Sequence, residues 1–267
     1  MIKNNTLYLF LFISIFSYSQ EAYYSNVNLN LTGLSLKDEL ATKIINTHTN
    51  KLFYTPDVWQ ASIITDPNPN NSSEVILIYG WENGTDSDIT NDLYRDNTLQ
   101  DSGNGDSFVW NREHVFSKSL ATPSLSTEDP GPGTDAHNLR PADRTRNSSR
   151  NNRKFTSGTN TSGIESNGGW YPGDEWKGDV ARIVMYMYLR YNGDGSRISE
   201  TQCLPTNVGI GSNATTLDEM IDLFLQWNAE DPVSDLEKQR NIYHENTSNT
   251  YAQGNRNPFI DKPRLAT

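Results

Sequence analysis

Two of the four histidines, His114 and His137, lie 23 residues apart in dense polar clusters. The first reads Trp110-Asn111-Arg112-Glu113-His114-Val115-Phe116, and the second begins Asp135-Ala136-His137-Asn138-Leu139-Arg140 and runs on through an Asn/Arg-rich stretch to Lys154. Residues 140 to 154 hold Arg140, Arg144, Arg146, Arg150, Arg153 and Lys154 against Asp143, a local balance of +5. Phosphodiester hydrolysis needs a base to take a proton from water, a cation to stabilise charge on the phosphoryl and leaving oxygens, and positive groups to hold the phosphate. His114 can be the base, Glu113 supplies a hard carboxylate, and the arginines offer bidentate phosphate contacts. Magnesium takes one or two protein ligands and keeps several waters, so a Glu and an Asn carbonyl suffice. A Glu-His pair and an Arg-rich loop also arise as structural pairs and solvated faces, so residue types alone leave the chemistry open.

The elements that must position these clusters follow from pattern. Ser35 precedes Leu36, Leu40 and Ile44 at helical spacing, with Asp38 as a capping-box-like partner, which predicts a helix from Leu36 to about Thr47. The short apolar run Val75 to Tyr79 predicts a buried strand. Val180, Ile183, Val184, Met187 and Tyr191 recur at helical intervals ahead of Gly193, predicting an amphipathic helix over Asp179 to Tyr191. Thr216 and Glu219 form a capping box ahead of Leu217, Met220, Ile221, Phe224 and Trp227, predicting a further helix.

The 267 residues carry 22 Lys+Arg against 33 Asp+Glu, a net charge of −11, and 34% hydrophobic residues, enough for a core. One Cys, Cys203, excludes an intramolecular disulfide framework and a Cys-based zinc cluster; it is expected to act as a small hydrophobe. An acidic balance excludes a basic, architectural nucleic-acid binder, because phosphate affinity comes from Lys and Arg. It does not exclude an enzyme whose positive charge is concentrated in one segment. Residues 1–19 carry Lys3, an apolar run Leu7 to Phe16 and small residues Ser17 and Ser19, the pattern of a secretory signal peptide. The run is shorter than the roughly 20 residues a bilayer span needs, and no later segment is apolar enough to cross a membrane. The expectation is a secreted protein, extracellular or periplasmic, monomeric, with one catalytic domain over 20–267 and no stable membrane association.

The blocks WNREHVF at 110–116 and DAHNLRPADRTRNSSRNN at 135–152 resemble the Glu-His strand and the His-Asn-Leu-x-Pro segment of the bacterial endonuclease I family of ββα-metal (His-Me finger) nucleases. Lys177-Gly178-Asp179-Val180-Ala181-Arg182 is similar to that family's KGDxAR element. Asn228 to Pro232, with Gln253-Gly254-Asn255-Arg256-Asn257-Pro258-Phe259-Ile260-Asp261, resembles its C-terminal signature. The resemblance runs from about Leu31 to Pro263 and implies an α+β fold, a mixed helical domain with a ββα-metal catalytic core.

Carried over position by position, the resemblance makes His114 the general base, Glu113 the carboxylate metal ligand and Asn147 the amide ligand of one Mg2+, with Mn2+ or Ca2+ as substitutes. It implies a strand carrying Glu113 and His114, a second strand through Ala136 to Leu139, and a helix presenting Asn147. Adjacent strand residues point to opposite faces, so Glu113 and His114 can share a site only where the strand ends, twists or bulges. The better-known branch of the family places its phosphate-clamping Arg between the two strands, where residues 115–134 offer only Lys118; Arg140 or Arg150 is expected to take over. His137 and Asn138 are expected behind the site as supporting residues, and His48 and His244 as surface or loop residues. The expected activity is Mg2+-dependent, sequence-nonspecific hydrolysis of DNA, with RNA also admitted, giving 5′-phosphate ends. A glycan-binding or structural module, suggested by six Trp and thirteen Tyr, is the rival. The acidic stretch Glu82 to Asp106 fails as an EF-hand, with Asn91 where Gly and Asn97 where Glu are needed, and is expected to be a solvated loop.

Overall fold

The computed structural model describes residues 22–191, 202–212 and 220–266. The signal-peptide segment and the Thr216–Glu219 capping box lie outside the described residues. Helix α1 spans Gly33–Thr47 and α2 Asp57–Thr65; a three-stranded antiparallel sheet follows, β1 (Pro67–Asn68), β2 (Asn71–Ile76) and β3 (Tyr94–Asp96). Strands β4 (Trp110–His114) and β5 (Leu139–Asp143) form a second antiparallel pair, and α3 (Arg144–Arg150) leaves β5 with no intervening loop. A small pair β6 (Gly163–Ile164) and β7 (Trp170–Tyr171) precedes α4 (Lys177–Tyr191), after which come α5 (Pro205–Val208), α6 (Asp222–Glu230), α7 (Asp235–Glu245) and α8 (Pro258–Asp261). The class is α+β, as expected, with small sheets set among helices.

Helix α4 is the axis of the core. Its buried residues include Val180, Val184, Met185, Tyr186, Met187 and Leu189 and also the ion-paired Asp179 and Arg182, so it is buried on nearly every face and packs against α1, α6 and α8. Phe155, Phe224 and Trp227 meet edge to face beside it, with centroids 5.8–6.3 Å apart. Burial of each such side chain contributes about 1.5–3 kcal/mol. Cys203 is buried among these residues, and burial pushes its thiol well above the ordinary range, as suits a small hydrophobe.

Two strand expectations shift. Val75, Leu77, Ile78 and Tyr79 are fully buried, but β2 itself starts in the polar Asn71–Glu74 segment, pairs with β3 over Glu74 to Ile76 and stops at Ile76, and Tyr79 at φ +75° turns the chain away. The second strand of the catalytic pair begins at Leu139 rather than Ala136. Asp135–Leu139 is a turn closed by Asn138 N–H to Asp135 O (3.0 Å) and by His137 N–H to the Asp135 carboxylate (2.9 Å). From Leu139 the register is regular, pairing His114 with Leu139, Glu113 with Arg140 and Trp110 with Asp143.

Candidate active site

Asp143 starts the helix that carries Asn147. Its carboxylate accepts the Thr145 (2.8 Å) and Arg146 (2.9 Å) amides, satisfying donors that a helix N-terminus otherwise leaves open. Asn147 therefore stands in the first turns of α3, beside the end of β4. Its Nδ2 donates to Asn111 Oδ1 (2.7 Å), so that contact engages the amide nitrogen and not the carbonyl oxygen, the atom a cation needs.

Strand β4 ends at His114, which removes the alternation problem. Beyond it Val115 N–H binds Asn138 O, and the Asn138 side chain clamps Phe116 from both sides, accepting from its N–H (2.7 Å) and donating to its carbonyl (3.2 Å). Glu113, His114, Asn147, Arg150, Asn111, Arg112, Tyr54 and Lys118 together line one open cleft of about 550 Å³.

Within the cleft Glu113 is 2% exposed; Oε1 accepts from the Tyr79 hydroxyl (2.9 Å) and lies 3.3 Å from Arg150 Nη1. Burial raises the Glu113 carboxyl, and Arg150 and Tyr79 offset only part of that rise. His114 Nε2 sits 2.7 Å from Gly133 O. A carbonyl only accepts, so Nε2 carries the proton and Nδ1 keeps the lone pair. Burial pushes the imidazole down to about 3, against the Gly133 contact and with help from Lys118, Arg112 and Arg150, so it is neutral near pH 7. A neutral imidazole with one fixed N–H is the form that accepts a proton.

The cations divide sharply. Arg140, expected as a phosphate clamp, is 1% exposed and does not line the cleft: Nε pairs with Asp66 (2.6 Å) and Nη1 with Asp179 (2.9 Å). Burial works against its charge, yet the two carboxylates outweigh that and hold its pKa above the ordinary value. Arg150 does line the cleft, but its guanidinium is turned inward, donating to His114 O (3.2 Å), Val115 O (2.7 Å) and Asn151 O (3.0 Å). The remaining cations of the +5 segment point elsewhere. Arg144 pairs with Asp101 (3.2 Å) and bonds Asp106 O, Arg146 bonds Thr90 O, Arg153 bonds Ser149 O, and Lys154 bonds Thr206 O. The acidic stretch is exposed for much of its length, as expected, but it also takes up charge from α3. The segment is thus mostly a structural lattice, and the cleft takes its outward positive charge from Lys118, while the Arg112 guanidinium, which also lines it, is held by Tyr54 O and Thr55 Oγ1.

His137 is 3% exposed and outside the cleft, with Nε2 3.3 Å from Asn255 O and its ring beside Tyr186 and His244. His48 and His244, expected at the surface, are buried in the same cluster, His48 with Nδ1 3.8 Å from Asp135. From sequence alone no role attaches to Asn111, Arg112 and Tyr54, which line the cleft, or to Tyr79, which bonds Glu113 from behind it. Asn111 and Arg112 stand beside the recognised Glu-His pair, so strand periodicity alone would place Asn111 and Glu113 on one face. Tyr54 and the Tyr79 contact come from distant chain positions with no local signature.

The family model described as Endonuclease I matches residues 32–264. The chain is 40% identical over 254 residues to a protein of Bacillus subtilis (strain 168) named extracellular ribonuclease, covering 92% of this chain and 77% of that one. It is 38% identical, with the same coverage, to a Bacillus amyloliquefaciens protein of the same name.

Proposed function

The chain belongs to the endonuclease I family and is a nuclease, and from that premise we propose that it is an exported, Mg2+-dependent, sequence-nonspecific endonuclease that cleaves RNA as well as DNA. The observation that carries this reading is the meeting of Glu113, His114 and Asn147, from β4 and α3, in one cleft. The β4–β5–α3 succession supports a ββα-metal core. Export is supported by the leader pattern at 1–19 and by the names of the two relatives. RNA enters through those names, and nothing in a phosphate site of this kind selects one sugar.

The residues fit Mg2+. The donors are one buried carboxylate and one amide oxygen, both hard, and no thiol lines the cleft; an ion that keeps most of its waters needs no more. Glu113 and Asn147 would hold it, and when bound it supplies charge stabilisation at the phosphoryl and leaving oxygens. His114 Nδ1 takes the proton from the attacking water while Gly133 O holds the far side of the ring. Lys118, exposed at the cleft, draws the phosphate in, with the water in line with the 3′ oxygen. Departure of that oxygen leaves 5′-phosphate and 3′-hydroxyl ends.

The glycan-binding rival falls with family membership, and the tryptophans that suggested it do not form an exposed platform. Trp59, Trp110, Trp170, Trp176 and Trp227 are buried, and Trp81, 37% exposed, carries Arg146 against its ring. The test is digestion of plasmid DNA and of a structureless RNA by wild type and His114→Ala, with Mg2+ or with EDTA. Both substrates are cut by wild type with Mg2+, and neither by His114→Ala. Full activity in EDTA overturns the metal requirement.

A further inference from the structure

The base of the cleft has one ring that the proposed chemistry does not use. Tyr54, in the loop before α2, sets its ring 5.7 Å from the His114 imidazole at an interplanar angle of 27°. The Arg112 guanidinium lies over the same Tyr54 ring at 3.5 Å and over Trp59 at 3.9 Å. Trp59 is 9% exposed and packs edge to face on the fully buried Trp110, centroids 4.8 Å apart. The loop is pinned as well: Arg112 Nη1 donates to Tyr54 O and to Thr55 Oγ1 (3.1 Å), and Phe53 N–H donates to Asp57 Oδ2 (2.9 Å). A row of packed groups thus runs from the core through Trp110, Trp59, Arg112 and Tyr54 to His114.

His114 needs such a support. Its one hydrogen bond among the described residues, Nε2 to Gly133 O, settles which nitrogen faces the protein but restrains rotation about the Cβ–Cγ bond, a torsion with a broad well, from one edge of the ring alone. A parallel ring against one face removes the freedom that remains and fixes the direction in which Nδ1 presents its lone pair. We propose that Tyr54, braced by Arg112, is a positioning residue that sets the plane of the His114 imidazole. The inference rests on His114 being the base.

The experiment compares Tyr54→Phe and Tyr54→Leu with wild type in Mg2+-dependent steady-state kinetics. Alongside, the ring-proton resonances of His114 are followed by NMR, assigned with His114→Ala. Tyr54→Leu, which loses the ring, lowers kcat about 10- to 100-fold with KM unchanged, the penalty of a misaimed group. Its His114 ring resonances also move downfield as the ring-current shielding disappears. Tyr54→Phe, which keeps the ring, retains kcat and the shielded resonances. Unchanged kcat in Tyr54→Leu overturns the proposal, and so does a rise in KM at full kcat, which would make the ring a substrate platform. If Tyr54→Leu is poorly folded, unshielded His114 resonances in Tyr54→Phe overturn it without the first variant. The NMR arm does not depend on activity, so a failed stack is distinguishable from a His114→Ala variant that still cuts, which sinks the base assignment instead.

Discussion

Asn147 Nδ2 donates to Asn111 Oδ1 at 2.7 Å, so the amide proposed to hold the ion is oriented by a second amide two residues before Glu113. Groups that orient a metal ligand typically account for 10- to 100-fold in affinity. Asn111→Ala frees the Asn147 amide to turn, and the Mg2+ concentration for half-maximal cleavage rises about tenfold at unchanged fold stability. A Mg2+ titration of plasmid nicking measures it. An unshifted midpoint would mean that Asn147 does not depend on its neighbour.

Arg140 does not take the phosphate role expected of it, and Lys118 stands exposed at the cleft instead. Arg140 pairs with buried Asp66 and Asp179, which keep Arg240 and Arg182 as their other partners, so Arg140→Ala removes one charged contact from each carboxylate and costs about 1.5–3 kcal/mol of stability for each, read from urea unfolding. Lys118 is exposed at the cleft, so Lys118→Ala leaves the unfolding midpoint in place, weakens substrate capture and lowers the logarithmic salt slope by about one. Equal unfolding midpoints for Arg140→Ala and wild type would contradict the buried placement.

Local pattern is legible in this chain, and long-range pairing is not. Helices α1 and α4 were legible because a 3.6-residue apolar period writes itself directly into the chain, and the Glu113-His114 and Asn147 segments because each is local. The fate of the arginines was not legible. Whether Arg140 meets a phosphate or Asp66 and Asp179 is decided by residues 74 and 39 positions away, and charge counting is blind to that. His48 reads as a surface residue for the same reason, since Asp135, 3.8 Å from its Nδ1, comes from another segment, and His244 is buried by rings from other elements, His137 among them, that its own helix does not announce.

Those buried histidines make the fold acid-sensitive. Burial pushes His48 and His137 down to about 4 and His244 well below its ordinary value, with Arg190, Lys51, Arg240 and Arg256 adding to the fall and Asp135 opposing it. A histidine lowered in the folded state takes up its proton more readily when unfolded, so stability is full above about 6.5 and is lost as pH falls toward 4. Each histidine contributes on the order of 1.4 kcal/mol per pH unit inside that window. The urea midpoint therefore drops steeply between pH 6.5 and 4.5, and His244→Leu flattens the slope by about one proton whatever its effect on stability at pH 7. A midpoint flat across this range rules the linkage out.

Arg150 lines the cleft yet is 1% exposed, and its guanidinium grips the end of β4 through His114 O and Val115 O while lying 3.3 Å from Glu113. Two carbonyls and a carboxylate around one planar fork define an anchor, and a lysine ammonium, a point charge on a flexible stem, cannot reproduce it. Losing one or two charged hydrogen bonds costs about 1.5–3 kcal/mol each and lets Glu113 and His114 drift. Arg150→Lys is therefore expected to lower the urea midpoint and to cut kcat, while KM and the salt slope of binding stay as in wild type. A phosphate clamp behaves in the opposite way: lysine keeps its charge but loses the bidentate contact, so KM rises and the fold is untouched. Measuring kcat, KM and the urea midpoint on the one variant decides between the two roles, and a KM effect alone would return Arg150 to the substrate.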